Sequence, residues 1–274
     1  MKHCLKALLR PFGRVVIMCL VMLAAAPACA ERITIAAAAD LKFAMDELVE
    51  GFRRARPTDE VEVVYGSSGK FHAQIRQGAP YDLFFSADID YARELVRAGQ
   101  AASEVRPYAV GRLVLWSARP DARTLTLASL ADARITRVAI ANPRHAPYGR
   151  RAEEALRAAG VWEAVAPKLV LGENVAQAAQ FVQSGNADVG LIALSLALSP
   201  ELARRGGHVL VPATLHAPLE QGYVITRRAA DSALARRFAE HVDSGAGRAV
   251  LVRHGFERPG PGPEAGGGGR AERQ

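Results

Sequence analysis

Short apolar runs alternate with amphipathic stretches along most of the 274-residue chain. Residues 33–38 and 61–65 have the length of strands, whereas residues 41–52 place apolar side chains three and four positions apart, as an amphipathic helix does. Residues 70–77 and 83–86 continue the alternation with a second helix and a third, buried strand. Successive strand–helix units of this kind predict an α/β fold with a mostly parallel sheet and helices on its faces.

A second series of strand–helix units follows in the middle of the chain. Residues 108–117 form an apolar run long enough to cross from one half of the molecule to the other, and residues 221–225 are interpreted as the strand that returns. We therefore predict two lobes, each a mostly parallel sheet with flanking helices, joined by two crossing strands. The predicted lobe 1 comprises residues 31–109 and 217–258, and the predicted lobe 2 comprises residues 110–216. The remaining predicted elements are strands at 138–141, 169–171, 189–193 and 209–212 and helices at 150–159, 174–184, 231–244 and 247–254.

The first 30 residues follow the pattern of a secretory signal peptide, in which four basic residues precede an uninterrupted apolar run at residues 15–26. A run of about a dozen residues is too short for a permanent membrane span, and the small residues Ala28 and Ala30 mark a cleavage site. We therefore expect cleavage after Ala30 and a periplasmic mature chain. A lipoprotein anchored at Cys29 is the rival interpretation, but the usual Leu three positions before the cysteine is missing.

Composition limits the disulfides, metal sites and partners that the mature chain can have. All three cysteines lie within the first 30 residues, so the mature chain has neither disulfides nor thiolate metal sites. Four of the 35 basic residues and none of the 28 acidic residues fall there as well, which leaves a mature net charge of +3. Because no basic run carries interleaved aromatic residues, nucleic acid is not expected as a partner. Residues 259–274 are rich in proline and glycine, and we predict a disordered tail.

Four loops are predicted to face one crevice between the lobes. They carry Asp40, the pair Ser67 and Ser68, Tyr148, and Val175. Each loop follows a predicted strand, at the end of the sheet where ligands bind in open α/β folds, and most lead into a helix. First-turn N–H groups lack intrahelical partners and attract negative charge, so several such loops around one crevice predict an oxyanion clamp. The rival interpretation of the two serines is that they cap their own helix.

Five segments resemble the periplasmic molybdate-binding proteins of ABC importers. The resemblance runs from about residue 33 to residue 256, and the block at 77–88 is its most specific part. The segments are AAADL at 37–41, GSSG at 66–69, QGAPYDLFFSAD at 77–88, ANPRHAPYG at 141–149 and PKL at 167–169.

This resemblance implies a type II periplasmic-binding-protein fold that closes over molybdate or tungstate and delivers the ion to a membrane permease. It implies a monomer without catalytic residues or a further cofactor, which grips the dianion with neutral hydrogen-bond donors. Carried over by position, Ser68 would donate its hydroxyl and N–H, Val175 its N–H, and Tyr148 either an amide or a phenol. Asp40 would contribute its backbone N–H, and Ser67 is the neighbouring candidate.

Two positions depart from the family pattern. Asp40 stands where the best-known members have a hydroxyl residue, and a carboxylate would repel a dianion strongly in a dry cleft. We therefore expect the Asp40 side chain to turn aside and cap its helix. Ala193 stands where some members have a tyrosine, and we expect Tyr148 to supply the missing phenol.

The residues of the predicted cleft bear on several other functions. The same type of receptor could bind sulfate, thiosulfate or phosphate, and Asp40 could accept the proton of phosphate. A secreted hydrolase that uses Ser68 would need a Gly-x-Ser-x-Gly turn, which is not present. The histidines are too dispersed for a metal site, and an iron(III) carrier would need more tyrosines near the cleft. Lys70 is interpreted as a solvated helix residue.

Overall fold

The computed structural model describes residues 31–260, which fold into strands and helices in the alternating order that the sequence predicts. The predicted signal peptide at 1–30 and most of the predicted tail lie outside the described residues. The strands are β1 Arg32–Ala38, β2 Glu60–Gly66, β3 Leu83–Ser86, β4 Arg106–Gly111, β5 Leu113–Ser117, β6 Val138–Ala141, β7 Leu169–Gly172, β8 Val189–Ala193, β9 Gly207–Leu210 and β10 Leu219–Ile225.

The helices follow the strands and complete the strand–helix units. Short 3₁₀ turns supplement them, and the turn Ala39–Leu41 leads directly into the first α-helix. The α-helices are α1 Lys42–Ala55, α2 Ser68–Arg76, α3 Ile89–Arg97, α4 Pro147–Ala158, α5 Trp162–Val165, α6 Val175–Gln183, α7 Leu194–Ala197, α8 Pro200–Arg205, α9 Ala233–Asp243 and α10 Gly245–Arg253.

The strands form two five-stranded sheets of matching design. The first sheet has the order β2-β1-β3-β10-β4, and the second has the order β7-β6-β8-β5-β9. In each sheet three neighbouring strands are parallel, and the fourth strand in the order is antiparallel to both of its neighbours. The predicted two-lobe α/β fold is therefore confirmed, with sheets that are mixed rather than wholly parallel.

Strand register brings the predicted site loops to the same level. In the first sheet Ala38 at the end of β1 pairs with Gly66 at the end of β2, so the turn at Asp40 and the serine pair emerge side by side. In the second sheet Ala141 pairs with Gly172, so the loops that lead to α4 and α6 also emerge together.

Apolar layers cover both faces of the first sheet. Phe238 from α9 and Phe52 from α1 meet edge to face at 5.3 Å on one side, and Phe71 from α2 packs against Phe84 on the other. In the second sheet Trp116 of β5 is fully buried. Burying an aromatic side chain of this kind stabilises the fold by roughly 1.5–3 kcal/mol.

The predicted crossing strands need two corrections. The single strand predicted at 108–117 is split into β4 and β5, with Arg112 between the two sheets. Residues 221–225, interpreted as the return crossing, lie within the first sheet as part of β10. The chain returns to the first sheet through the irregular stretch 211–218. Strand β9 ends at Leu210 because Pro212 has no N–H for strand pairing. For the same reason the edge strand predicted at 209–212 is observed at Gly207–Leu210.

Candidate functional site

A small cavity of about 10 Å³ lies where the two sheets present their loops to each other. It is lined by residues of both lobes, among them all five residues singled out from the sequence: Asp40, Ser67, Ser68, Tyr148 and Val175. Each of the five is at most 5% exposed. The structure therefore brings these residues together in a cleft that is closed and screened from solvent.

Ser67 and Ser68 sit at the N-terminus of α2 and have different partners. Ser67 is the N-cap residue, but its side chain makes no capping hydrogen bond, so the capping interpretation of this serine is wrong. Its hydroxyl instead donates to the His145 carbonyl of the other lobe at 2.5 Å and lies 2.9 Å from His145 Nδ1. The Ser68 hydroxyl oxygen accepts the Ala87 N–H at 3.0 Å, which leaves its hydrogen available to a ligand.

Gly69 allows the lobes to approach closely at this point. Its N–H donates to the His145 carbonyl at 2.9 Å. A Cβ at this position would lie 2.6 Å from that carbonyl oxygen and 2.7 Å from the Tyr91 hydroxyl, which is closer than real Cβ atoms come. The glycine after the serine pair is therefore required by the contact across the cleft, since the helix itself would accept alanine.

The N-terminus of α6 presents Val175 to the cavity. Asn174 caps this helix, since its side-chain oxygen accepts the N–H groups of Ala176 and Gln177 at 3.0 Å each. The Val175 N–H, which has no intrahelical acceptor at this position, is left for a ligand.

Helix α4 starts at Pro147, three residues earlier than predicted, because proline fits the first helical position. Tyr148 therefore lies in the first turn, where its N–H faces no intrahelical acceptor. Its phenol extends to the crossing between the lobes, where a Cβ on Gly111 would lie 2.3 Å from the hydroxyl. The same hydroxyl accepts the Gln221 side-chain N–H at 3.5 Å.

Asp40 differs from its predicted role. Neither the 3₁₀ turn that contains it nor α1 has a side-chain capping bond, so the expected capping by Asp40 is wrong. Its Oδ2 accepts the Gln221 Nε2–H at 2.6 Å, while its Oδ1 is buried with no hydrogen-bond partner. Burial raises the pKa of this carboxyl to about 6, against the lowering effect of the Gln221 amide that donates to Oδ2 and of the nearby Tyr148 hydroxyl.

Three further residues complete the surroundings of Asp40. Gln221 is fully buried in β10, and the Tyr108 hydroxyl donates to its Oε1 at 2.6 Å. Ser195 of the other lobe donates to the Asp40 carbonyl at 2.7 Å. Sequence reasoning missed all three, although a lone amide within the apolar run of β10 was a signal that Gln221 has a buried partner.

Ion pairs bridge the lobes at the rim of the cavity rather than inside it. Arg150 of α4 contacts Asp88 at 2.6 Å, and Lys70 of α2 pairs with Glu173. Lys70 is half-exposed, as a solvated residue should be, but its ammonium is held by the opposite lobe. Among the described residues that line the cavity there is no lysine or arginine, so an anion there would meet only uncharged donors and Asp40.

The rest of the described chain offers no competing centre of metal chemistry. Within residues 31–260, no cluster of three or more His, Cys, Asp or Glu side chains is arranged to hold a metal ion. No helix in that range has the length and apolarity needed to cross a membrane.

A two-lobe α/β molecule whose helix N-termini converge on a buried crevice defines a receptor of the periplasmic-binding-protein class. The profile of the family described as bacterial extracellular solute-binding protein matches residues 33–257. The chain belongs to this family, and the resemblance drawn from its motifs is confirmed.

Individual relatives support the same family assignment. The molybdate-binding protein ModA of Rhodobacter capsulatus is 35% identical over 238 residues, which cover 86% of this chain and 92% of that protein. The structure of the periplasmic molybdate-binding protein of Azotobacter vinelandii matches with a TM-score of 0.78 at 31% identity, and covers 83% of this chain and 100% of that one. The sulfate-binding protein SubI of Mycobacterium tuberculosis matches with a TM-score of 0.69 over 84% of this chain and 88% of that one, but at 17% identity it shows the fold alone.

Proposed function

We propose that this protein captures a tetrahedral oxyanion, molybdate or tungstate, between its lobes and delivers it to the membrane permease of an ABC importer. The observation that carries the proposal is the convergence of uncharged donors on one buried cavity, from the N-termini of α2, α4 and α6. Fixed N–H and hydroxyl dipoles replace the hydration shell of a dianion when the cleft closes. Relatives named for molybdate binding support this choice of ligand.

Four of the five predicted residues contact the ion in this proposal, and Ser67 supports them. Ser68 donates its hydroxyl hydrogen and its N–H, and Val175 and Tyr148 donate first-turn N–H groups. Asp40 donates its backbone N–H from the turn after β1. Ser67 acts indirectly, because its hydroxyl is engaged with His145 and holds the opposite lobe against α2.

We infer that the protein carries out this function in the periplasm. Residues 1–30 direct the chain to the periplasm and are cleaved, and the mature protein acts there as a monomer without enzymatic activity. The two lobes keep the predicted arrangement, except that the first boundary moves from 109/110 to Arg112 because β4 belongs to the first sheet up to Gly111, and they hinge about Arg112 and the stretch 211–218. Cargo release at the permease would open this hinge.

A receptor for sulfate, thiosulfate or phosphate is the second candidate. One observation favours phosphate: Asp40 has a buried oxygen that could accept the hydrogen of a protonated oxyanion. The likeness to a sulfate-binding protein, at 17% identity, concerns the fold alone. The fold by itself therefore does not select the ion.

A thermal-shift panel with molybdate, tungstate, sulfate, thiosulfate and phosphate separates these candidates. An ion present at about a thousand times its Kd stabilises the folded state by about 4 kcal/mol, which raises Tm by roughly 8–16 °C in a chain of this size. We expect molybdate and tungstate to give this shift. A shift with sulfate, thiosulfate or phosphate but not with molybdate would assign the site to the second candidate.

Hydrolysis by a serine is not supported by the geometry. His145 contacts Ser67 rather than Ser68, and the Ser67 hydroxyl already donates to a backbone carbonyl. Glu173, which would have to orient the imidazole, lies 4.0 Å from His145 Nε2 and also holds Lys70. Ester hydrolysis that disappears in Ser68→Ala would contradict the receptor assignment.

A further inference from the structure

The carboxyl group of Asp40 is the one feature of the cavity that neutral-donor binding leaves unexplained. Asp40 lines the cavity and is 1% exposed. Its Oδ1 is buried without a hydrogen-bond partner, although buried polar atoms are nearly always paired. An unpaired oxygen in a cavity built for an oxyanion indicates that a ligand completes its hydrogen bonding.

A chain of hydrogen bonds determines which oxygen of Asp40 can carry a proton. The Tyr108 hydroxyl donates to Gln221 Oε1 at 2.6 Å, which orients the amide so that its Nε2 faces Asp40. Nε2 then donates to Asp40 Oδ2 at 2.6 Å. Because Oδ2 is occupied as an acceptor, Oδ1 is the oxygen left to bind a proton.

We propose that oxyanion binding at this site is coupled to the uptake of one proton, which Asp40 Oδ1 holds and donates to an oxygen of the bound ion. This inference rests on the proposed function. The balance is one carboxylate, one proton and one dianion combining into a neutral carboxylic acid hydrogen-bonded to the dianion. Without the proton, a carboxylate and a dianion would repel each other across a dry cavity.

The groups that face Asp40 leave it as the titrating centre of the cavity. Tyr108 of β4 and Tyr148 of α4 have pKa values well above 10, chiefly because they are buried, and stay neutral. The 3₁₀ turn packs against α7, whose Ser195 offers only a hydroxyl. With a pKa of about 6, the Asp40 carboxyl of the unliganded protein is mostly ionised at neutral pH, so the proton must be taken up on binding.

The charged groups at the rim of the cavity act separately from the Asp40 carboxyl. Lys70 and Glu173 pair with each other, and burial lowers the pKa of the His145 imidazole from its ordinary 6.5. His145 is therefore neutral over the range in which molybdate binding should change. Any contribution from these groups persists when Asp40 is replaced.

Titration calorimetry of the purified, ligand-free chain with molybdate, in buffers of different ionisation enthalpy, tests this coupling. Between about pH 7 and about pH 8.5 we expect one proton to be taken up per molybdate bound, and Kd to rise about tenfold per pH unit. Asp40→Asn should abolish both effects, because a carboxamide donates an N–H at every pH and still accepts from Gln221. Gln221→Leu removes a donor that favours the ionised carboxyl, and should move the onset of the pH dependence upward.

Loss of the proton coupling and loss of oxyanion binding give different results in this titration. Tight molybdate binding with no proton uptake and a pH-independent Kd overturns the coupling and leaves the receptor intact. A pH dependence that is the same in Asp40→Asn also overturns it, since another group would then be responsible. Absence of molybdate binding to both proteins at every pH overturns the proposed function itself.

Discussion

At the scale of single residues, oxyanion affinity depends on which hydroxyl keeps a free hydrogen. The Ser68 oxygen is occupied as an acceptor by the Ala87 N–H, so its hydrogen can point only toward another acceptor. The neighbouring Ser67 hydroxyl donates its hydrogen to the His145 carbonyl. Two adjacent serines thus have separate tasks, one toward the ligand and one toward the opposite lobe.

Replacing Ser68 by alanine should weaken oxyanion binding by about 10- to 100-fold, the usual effect of losing a hydrogen bond to a charged group. Ser67→Ala is the matched control, one residue away on the same helix terminus. The loss of oxyanion affinity in Ser67→Ala should stay below about tenfold, because this substitution removes only a contact between the lobes. Calorimetric titration of both variants with molybdate measures the difference, and equal losses would contradict the assignment of roles.

The buried Asp40 carboxyl should also make the stability of the free protein depend on pH. Its pKa is about 6 in the folded state against an ordinary 3.8, so the folded state holds the proton more tightly. The contribution of Asp40 to the free energy of unfolding therefore falls as pH rises from about 4 to about 6, by up to roughly 3 kcal/mol, and stays at the lower value above.

Asp40→Asn removes this titration while keeping the side-chain shape. Urea unfolding across that range should show a stability advantage of up to roughly 3 kcal/mol for Asp40→Asn near neutral pH and little difference near about pH 4. Parallel curves for the two proteins would show that Asp40 does not titrate as described.

At the scale of elements, the site is the meeting point of three helix N-termini. Parallel pairing in register sets the ends of β1 and β2 side by side, and β6 and β7 do the same in the other sheet. The helices that follow then aim their first turns at one point. At Gly69 the backbones of the two sides are close enough for its N–H to donate to the His145 carbonyl at 2.9 Å, which leaves no room for a Cβ.

Gly69→Ala should block closure without damaging the helix. The added Cβ would lie 2.6 Å from the His145 carbonyl oxygen in the closed state, whereas alanine favours an α-helix by about 1 kcal/mol over glycine. We expect molybdate affinity to fall, while urea stability of the ligand-free protein is retained if the Tyr91 side chain, whose hydroxyl would lie 2.7 Å from the new Cβ, shifts aside. Gly245→Ala at the start of α10, where a Cβ meets nothing within 4 Å, is the control and should bind normally.

Many of the helices and strands could be predicted from the sequence. The bounds of β3, β6 and β8 agree with their apolar runs, and the helix predicted at 174–184 is observed at Val175–Gln183, with Asn174 as its cap. These features depend on local periodicity and local hydrogen bonding.

What the sequence could not provide depends on the other lobe. The apolar run at 108–117 carries no local sign that the chain changes sheets at Arg112. Ser67 resembles a helix cap by every local criterion, and only the approach of His145 diverts its hydroxyl. Asp40 turns toward Gln221, which is 181 positions away in the chain.

At the scale of the whole molecule, closure is supported by ion pairs outside the cavity. Arg150 joins Asp88 across the cleft, and its guanidinium also lies 5.3 Å from the centre of the Tyr91 ring. Because Arg150 is partly exposed, the pair should contribute modestly, and salt should screen it.

Arg150→Gln should therefore lower oxyanion affinity only about two- to fivefold at low salt, and the difference from wild type should shrink at high salt. Titration of both proteins at the two salt concentrations measures this. A loss that is large and independent of salt would mean that Arg150 acts on the bound ion directly.

The central claim is that one oxyanion is held in the closed cleft by uncharged donors, and equilibrium dialysis against molybdate tests it most directly. Elemental analysis of the dialysed protein should find about one molybdenum per chain, displaced by tungstate and not by excess sulfate, with most of it lost in Ser68→Ala. Molybdenum that is absent from the wild-type protein, or bound equally by Ser68→Ala, would contradict the account.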